Sequence, residues 1–475
     1  MERFEIHRNR VKFFNNVQVT ATYSVPRLLL QNFANSGIEV LIYAALKETL
    51  NHQPILGVII DDEGSKEPKW VRLETIDLRE NVKVINADPN ASPDKWVQDA
   101  HRLQFTRPGE LPLWRIVVAF QDSALIGNGA YVPFAVGFFA HHAIADGLSC
   151  RAFHLTFLDA LNTLISSPIN TPSSLDEAAI IITPKLPLLP NLEMKATLTV
   201  SILFVLLQIF KAYIYHPVDR LNWSGPLISA DSPRPPISNT RSFSLPPSMV
   251  SKLVARCRQE KTTVTALVTV LVARKLAIMY PDYKRFTGTV PFSARKFTGH
   301  SPKDMGCYVS NIEPYFSSET KPSRGYISCA SSSGEKVASG DDEQLWNSAQ
   351  ICKKFINNRT STMHNQNVNL LKFVSDFPKY FLGLLGTKRH HAFKVSNIGV
   401  VDGGVGKEPG NAMFDRVMFS SAQCTYDTPY FLCLATAKNG FMVVALSWEV
   451  GVVGDEEAKD LLGWLEVELK GLAEA

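Results

Sequence analysis

The chain has 475 residues, 45% of them hydrophobic and 20% charged. At roughly 100–200 residues per domain that suits two to four domains, or two halves packed around a shared site, and the composition excludes wholesale disorder and a polytopic membrane protein. Forty-nine Lys and Arg against 45 Asp and Glu leave a net charge of +4, too small over this length to predict a nucleic-acid partner.

Helical and strand patterns alternate along the chain. Ile38, Leu41, Ile42, Ala45 and Leu46 recur at helical spacing, and Ile55 to Ile60 reads as a short buried strand. Trp70 to Leu78 alternates like a half-buried strand, and Leu113–Phe120 and Phe134–Ala140 read as buried ones. From Cys150 through Phe153, Phe157, Leu158 and Leu161 to Ile165 the apolar residues share a helical face, with Asp146 placed as its cap. After a proline-rich crossover, helices are predicted around Met249–Cys257 and Thr262–Leu276. Strands follow at Phe286–Phe292, Tyr308–Tyr315, Ala392–Val395, Phe431–Thr436 and Phe441–Trp448, then a helix at Asp455–Leu472. Asn439-Gly440 predicts a hairpin turn between the last two strands, and residues 317–342 a surface loop.

These patterns divide the chain at about residues 190 and 245, into halves 1–190 and 246–475 with a crossover 191–245 between them. The crossover carries an apolar segment, 196–215, whose core of about 15 residues falls short of the roughly 20 that span hydrocarbon as a helix. Two readings stay open for it: a buried or surface-docked crossover helix, and peripheral contact with a membrane. Seven widely spaced cysteines without a C-x-x-C pair predict a reducing compartment. The charged N-terminal residues and the C-terminal Gly-Leu-Ala-Glu-Ala carry no targeting signal. The expected location is therefore cytoplasmic, with peripheral contact with an intracellular membrane through 196–215 as the addition, and the expected state is a monomer.

One constellation carries chemistry, His141-His142-Ala143-Ile144-Ala145-Asp146-Gly147, or H-H-x-x-x-D-G, between a predicted strand and a predicted amphipathic helix. A histidine leaving the core at a rigid strand end points into a crevice, and imidazole titrates near neutral pH. His142 therefore suits a general base that takes a hydroxyl proton as the oxygen attacks a carbonyl. Direct attack needs no Ser or Cys nucleophile, only donors where the oxyanion develops. Asp146 can bond back to His142 or turn away and pair with an arginine. Gly147 allows a tight turn or a close backbone approach. The pleat directs His141 to the opposite side, as a structural side chain. Nothing nearby supplies third and fourth ligands, so no metal site is predicted.

The motif resembles that of the acyltransferases with the chloramphenicol acetyltransferase fold, which include plant BAHD enzymes and nonribosomal peptide condensation domains. The chain is most similar to the fungal alcohol acetyltransferases. Arg3-Phe4-Glu5-Ile6-His7-Arg8, residues 15–23, Pro112-Leu113-Trp114-Arg115, residues 262–267, Pro291-Phe292-Ser293-Ala294-Arg295, Val395-Ser396-Asn397-Ile398-Gly399 and residues 441–457 carry the resemblance nearly end to end. The plant D-F-G-W-G element is absent, since Asp376-Phe377 is followed by Pro378.

The resemblance implies an α/β (α+β) fold of two chloramphenicol acetyltransferase-like halves, each a mixed β-sheet with helices, and an active-site tunnel at their interface. It implies an acyl-CoA-dependent O-acyltransferase with acetyl-CoA as co-substrate and no permanently bound cofactor. The acceptor would be a small alcohol or a fungal secondary metabolite such as a terpenoid. His142 would be the base, and Asp146 would pair with Arg295. Ser396, Asn397 and Ser421 are the oxyanion candidates, and Lys284, Arg285 and Lys296, with Lys303 nearby, the candidates for the anionic end of CoA. The alternative is a noncatalytic or carrier-protein-dependent ligand-binding protein on the same scaffold.

Overall fold

The structure is a computed structural model, and the described residues are 1–474 except 32–36, 127, 167–174, 214–218, 232–233 and 331–342. The main strands are β1 (Asn16–Pro26), β2 (Val82–Asn86), β3 (Trp114–Phe120), β4 (Tyr131–His141), β5 (Ser238–Leu245), β6 (Arg285–Ser293), β7 (Phe393–Val401), β8 (Met413–Ser421), β9 (Tyr430–Ala437) and β10 (Met442–Glu449). The helices used below are α1 (Glu2–Arg10), α2 (Gly37–His52), α3 (Asp94–Arg102), α4 (Gly147–Ser166), α5 (Ile202–Tyr213), α6 (Pro247–Gln259), α7 (Val264–Met279), α8 (Glu343–Thr360) and α9 (Asp455–Glu474).

Two mixed sheets form. The first has the order β8-β1-β4-β3-β2, with β2 and β3 parallel and the other neighbours antiparallel. The second runs β5-β10-β9-β7-β6, parallel at β9-β7-β6, and continues into short strands Tyr315–Ser317 and Ile327–Ser328. Each has its own apolar core. In the first, α4 lies on β1 and β4, where Phe138 and Phe153 stack with centroids 4.0 Å apart and the Tyr23 hydroxyl meets His154 Nδ1 at 2.9 Å. In the second, α7 is buried from Ala266 to Leu276 between the sheet and α8. That explains its near-continuous apolar sequence, since a helix covered all round has no need of a polar face.

Two elements tie the sheets together. β8, late in the chain, pairs with β1 of the first sheet from Val17 opposite Ser421 to Ser24 opposite Met413, with a one-residue shift between Thr22 and Tyr23. Helix α3 covers the edge of β5: Asp94 accepts from the Ser242 backbone N–H at 3.0 Å and hydroxyl at 2.6 Å, and Gln98 accepts from the Thr240 N–H at 3.1 Å. Covering an edge strand in this way removes a row of unpaired donors from solvent. Thus β5 begins inside the segment 191–245 but belongs to the second sheet, while β8 from the second half completes the first.

Most predicted elements are found, with local corrections. The strand expected over 55–60 opens with a 3-10 turn, Pro54–Gly57, and only Val58–Asp61 is extended. The one expected over 70–78 is broken into Lys69–Arg72 and Thr75–Asp77. Tyr308–Tyr315 divides into Val309–Ile312 and Tyr315–Ser317 around Pro314, which lacks the N–H a continuous ladder requires. Helix α5 starts at Ile202 rather than Ala196. The preceding Thr197 and Thr199 are β-branched, and the Thr199 carbonyl is held by Asn369 Nδ2 and the Asn365 N–H, each at 3.0 Å. The loop expected over 317–342 starts on the last residue of the strand Tyr315–Ser317 and contains the short strand Ile327–Ser328, and its residues 331–342 lie outside the described residues.

Candidate active site

The site is assembled where β4 ends. Its apolar run packs on both faces as a central strand must, and the chain leaves the sheet at His141, whose backbone N–H bonds the Leu113 carbonyl at 2.9 Å. The next residue, His142, is half-buried. A turn closes with the Ile144 N–H on the His141 carbonyl at 3.1 Å, and α4 starts at Gly147.

His142 sits among residues from two distant segments. Its Nδ1 is 3.7 Å from Cys307 Sγ, and its ring lies 5.6 Å from the Phe14 ring, centroid to centroid. Phe14 in turn carries the Arg8 guanidinium 4.1 Å from its centroid, and Arg8 is ion-paired with Glu5 inside α1, both buried. Burial pushes the His142 imidazole below its ordinary value; Glu5 and Asp146 pull against this and Arg8 adds to it, so the neutral base is favoured. The Cys307 thiol is pushed far up by burial and stays protonated.

Asp146 turns away from His142. Its Oδ2 accepts from Arg295 Nη1 at 2.7 Å and from the Tyr308 N–H at 3.0 Å. Its Oδ1 accepts from Arg295 Nη2 at 3.0 Å, the Ser149 N–H at 2.8 Å and the Ser149 hydroxyl at 2.9 Å. It is thus the cap of α4 and half of a bidentate ion pair, buried on both sides. Burial alone would raise this carboxyl, but Arg295 beside it and the surrounding N–H groups bring it below the ordinary carboxylate value. The second half of the chain is anchored to the turn after His142 through this pair, and Ser149 reinforces it by donating to the Gly306 carbonyl at 2.6 Å.

The neighbours of the motif have structural reasons. His141 is buried; its Nδ1 accepts from the Ala143 N–H at 3.1 Å, and burial lowers its pKa to about 3. Gly147 is required by close approach: a Cβ there would lie 2.8 Å from Ile398 Cγ2 and 2.9 Å from Phe419 Cζ. Those contacts bring β7 and β8 against the start of α4.

The other predicted residues are dispersed. Asn397 has its amide engaged, Nδ2 donating to Thr265 Oγ1 at 3.0 Å and Oδ1 accepting from the Gly399 N–H at 2.8 Å. Ser421 is buried and donates to the Ala422 carbonyl at 3.0 Å; its strand position is opposite Val17, which is itself opposite Ala140. Ser396 is buried on β7 opposite Cys433. The basic residues do not gather into one patch. Lys284 and Arg285 stand at the start of β6, a strand about 26 Å long at roughly 3.3 Å per residue, and Lys296 lies in the short helix Arg295–Thr298 after its end. Arg285 is paired with Asp219 at 2.9 Å and Lys303 with Asp159.

A cleft of 210 Å³ opens between the sheets, lined by Thr20, Thr22, Ser242, Phe243, Arg416 and Met418 among others. It stops short of His142. Continuing along the same face of β1 and β8, Gln18, Asn16 and Ser420 are buried and bonded into a row with His101: Gln18 Nε2 donates to Ser420 Oγ at 2.6 Å, and His101 meets Ser420 Oγ at 2.8 Å and Asn16 Oδ1 at 2.6 Å. Along β1 this polar row lies between the cleft and the end of the strand that pairs with His141.

Sequence reasoning alone missed Phe14, Cys307, Ser149 and the Glu5–Arg8 pair. Ser149 had a signal, since it stands three residues after the capping aspartate, where the first helical donors need partners. The others come from segments whose approach to His142 is set only by tertiary packing.

Two lobes that each hold a mixed sheet, joined by a buried carboxylate–guanidinium pair behind a half-buried histidine, define an acyltransferase scaffold, and the comparisons agree. The model of the family described as alcohol acetyltransferase matches residues 101–468, and the chain belongs to that family of acyltransferases. It is 25% identical over 467 residues to the probable alcohol acetyltransferase FCK4 of Fusarium pseudograminearum, covering 95% of this chain and 90% of the relative. It is 25% identical over 472 residues to the probable alcohol acetyltransferase crmB of Aspergillus fumigatus, covering 96% and 95%. In fold it is similar to TRI3 trichothecene 15-O-acetyltransferase of Fusarium sporotrichioides, with a TM-score of 0.63 at 11% identity over 99% of this chain and 94% of that one. It is also similar to the first condensation domain of the CDA synthetase, with a TM-score of 0.59 at 13% identity over 100% and 95%. The expected class of two chloramphenicol acetyltransferase-like halves is the fold observed.

Proposed function

We propose that the protein transfers an acetyl group from acetyl-CoA to a hydroxyl of a small alcohol or secondary metabolite, with His142 as general base. The observation that carries this reading is the setting of His142: half-exposed at a strand end, favoured as the neutral imidazole, and free of the aspartate that the motif places four residues on. In the forward step the imidazole takes the hydroxyl proton as the oxygen bonds to the thioester carbonyl carbon. Collapse of the tetrahedral intermediate breaks the C–S bond, and the imidazolium returns the proton to the departing thiolate. Asp146 and Arg295 hold the turn and carry no proton. Support for acetyl as the acyl group comes from the family and from the TRI3 fold relative.

The test is His142→Ala with acetyl-CoA and a panel of alcohols, following released thiol. Loss of a positioned general base is expected to lower kcat by about 10²–10⁴; equal rates for wild type and variant on a substrate that is turned over defeat the assignment.

A further inference from the structure

The crossover carries a helix whose widest apolar arc faces outward. Up to Ser201 the segment is fixed: Leu192 and Ala196 are buried with Ala294, Tyr308, Met363 and Val368, the Tyr308 hydroxyl donates to the Pro190 carbonyl at 2.8 Å, and the Ser201 N–H bonds Asn365 Oδ1 at 2.8 Å. Beyond it, α5 places Ile202, Leu203, Leu206, Leu207, Ile209 and Phe210 on one arc at 100° per residue. Their exposures are 80%, 77%, 57%, 47%, 45% and 44%. Phe204, Val205 and Gln208, on the other side, are half-buried. A helix on a globular surface turns its apolar arc to the core and its polar residues outward; α5 is apolar on both sides, and its exposed arc from Ile202 to Phe210 has no polar side chain. Soluble monomers rarely leave more than a few hundred Å² of contiguous apolar surface in water.

The surroundings select the occupant. Lys195, shortly before this helix in the chain, and Lys372 are exposed, Lys372 Nζ donating to the Leu198 carbonyl at 3.4 Å. The one carboxylate between Lys185 and Tyr213, Glu193, is paired with the N-terminal ammonium. An apolar arc with a basic rim complements a bilayer bearing anionic headgroups. A second copy fits less well, because two 12-residue helices laid together bury far less than the roughly 1,200–2,000 Å² of a stable interface. The helix is about 18 Å long at 1.5 Å per residue, too short to span, and among the described residues no single helix is long and apolar enough to cross a membrane.

We propose that α5 docks in the plane of an anionic lipid bilayer surface, its Ile202–Phe210 arc among the acyl chains and the lysine rim at the headgroups. Because α5 departs from the wall that carries Tyr308, docking holds that wall near the bilayer.

The test is flotation of the purified full chain with vesicles of phosphatidylcholine, alone and mixed with phosphatidylserine, alongside the double variant L203E/L206E. The wild type is expected to float with the mixed vesicles and to be released by high salt. The variant is expected to lose at least tenfold of the bound fraction while keeping its melting curve and its activity on a water-soluble acceptor. Wild type that stays unbound to both vesicles, or a variant that floats as well as wild type, overturns the proposal. So does light scattering that shows a wild-type dimer made monomeric by L203E/L206E.

Discussion

Asp146 and Arg295, 149 residues apart in the chain, meet in a buried bidentate pair at 2.7 and 3.0 Å. The residue beside the candidate base thereby answers to the other half of the molecule. Removing one partner leaves an uncompensated buried charge, or a buried amide among donors placed for a carboxylate. Asp146→Asn or Arg295→Met is expected to cost about 3–5 kcal/mol of stability, measured by denaturant unfolding. The double variant should cost clearly less than the sum, since it strands neither charge. Full additivity would show that the pair does not couple the halves.

The same pair sets an acid limit. The Asp146 carboxyl lies below its ordinary value of 3.8 in the folded state, so its contribution to stability is complete above that value and is lost as pH falls through the lowered one. Asp146→Asn should flatten the acid side of the stability–pH curve; an unchanged acid side contradicts the assignment.

Activity should show a different acid limb. A base must be unprotonated to act, and His142 is held below the ordinary imidazole value of 6.5. The fall of kcat/KM on acidification is therefore expected to have its midpoint below 6.5 and to disappear from the residual activity of His142→Ala. A midpoint above 6.5 would falsify the claim that burial governs this ring.

Cys307 stands close enough to His142 to invite a covalent route, yet its thiol is pushed far up by burial. A protonated thiol is a poor nucleophile, and a contact of 3.7 Å is a weak hydrogen bond. Cys307→Ala should keep kcat/KM within about tenfold, a change near 1.4 kcal/mol, with no acetylated cysteine in intact-mass spectra. Abolished activity together with an adduct in the wild type would replace direct attack by a two-step mechanism.

At Gly147 two effects oppose one another. Alanine in a helix gains up to about 1 kcal/mol over glycine, whereas forcing a methyl between Ile398 and Phe419 costs typically 1–3 kcal/mol. Both clashing atoms belong to buried side chains, so overpacking should win. Gly147→Ala is expected to lower the denaturant midpoint with an unchanged slope; a stabilised variant would show that β7 and β8 can yield.

What the sequence revealed follows from how local each signal is. The strand entering His141, the capping aspartate and helix α4 are adjacent in the chain and each has its own pattern, so the motif and its context were legible. The strands β1, β5 and β8 were not, because Gln18, Thr20, Thr22, Ser242 and Arg416 interrupt or weaken their apolar alternation. These residues face the other half or its cleft, and a buried polar surface between halves looks like an exposed loop until its partners are known. The same reason hid Phe14 and Cys307, which reach His142 only after both sheets have formed. From the residues the pairing of Asp146 with an arginine is one of two open possibilities, and the family resemblance is what points to Arg295.

The loan of Met413–Ser421 to the first sheet has a consequence for how the protein is made. Strand β1 emerges early from the ribosome and finds β4 within 141 residues, yet its other flank stays bare until residue 421 has been synthesised. Throughout that interval the nascent lobe presents an unsatisfied, aggregation-prone border, which makes vectorial maturation depend on shielding. A polypeptide cut at the crossover would yield an amino-terminal fragment permanently one strand short.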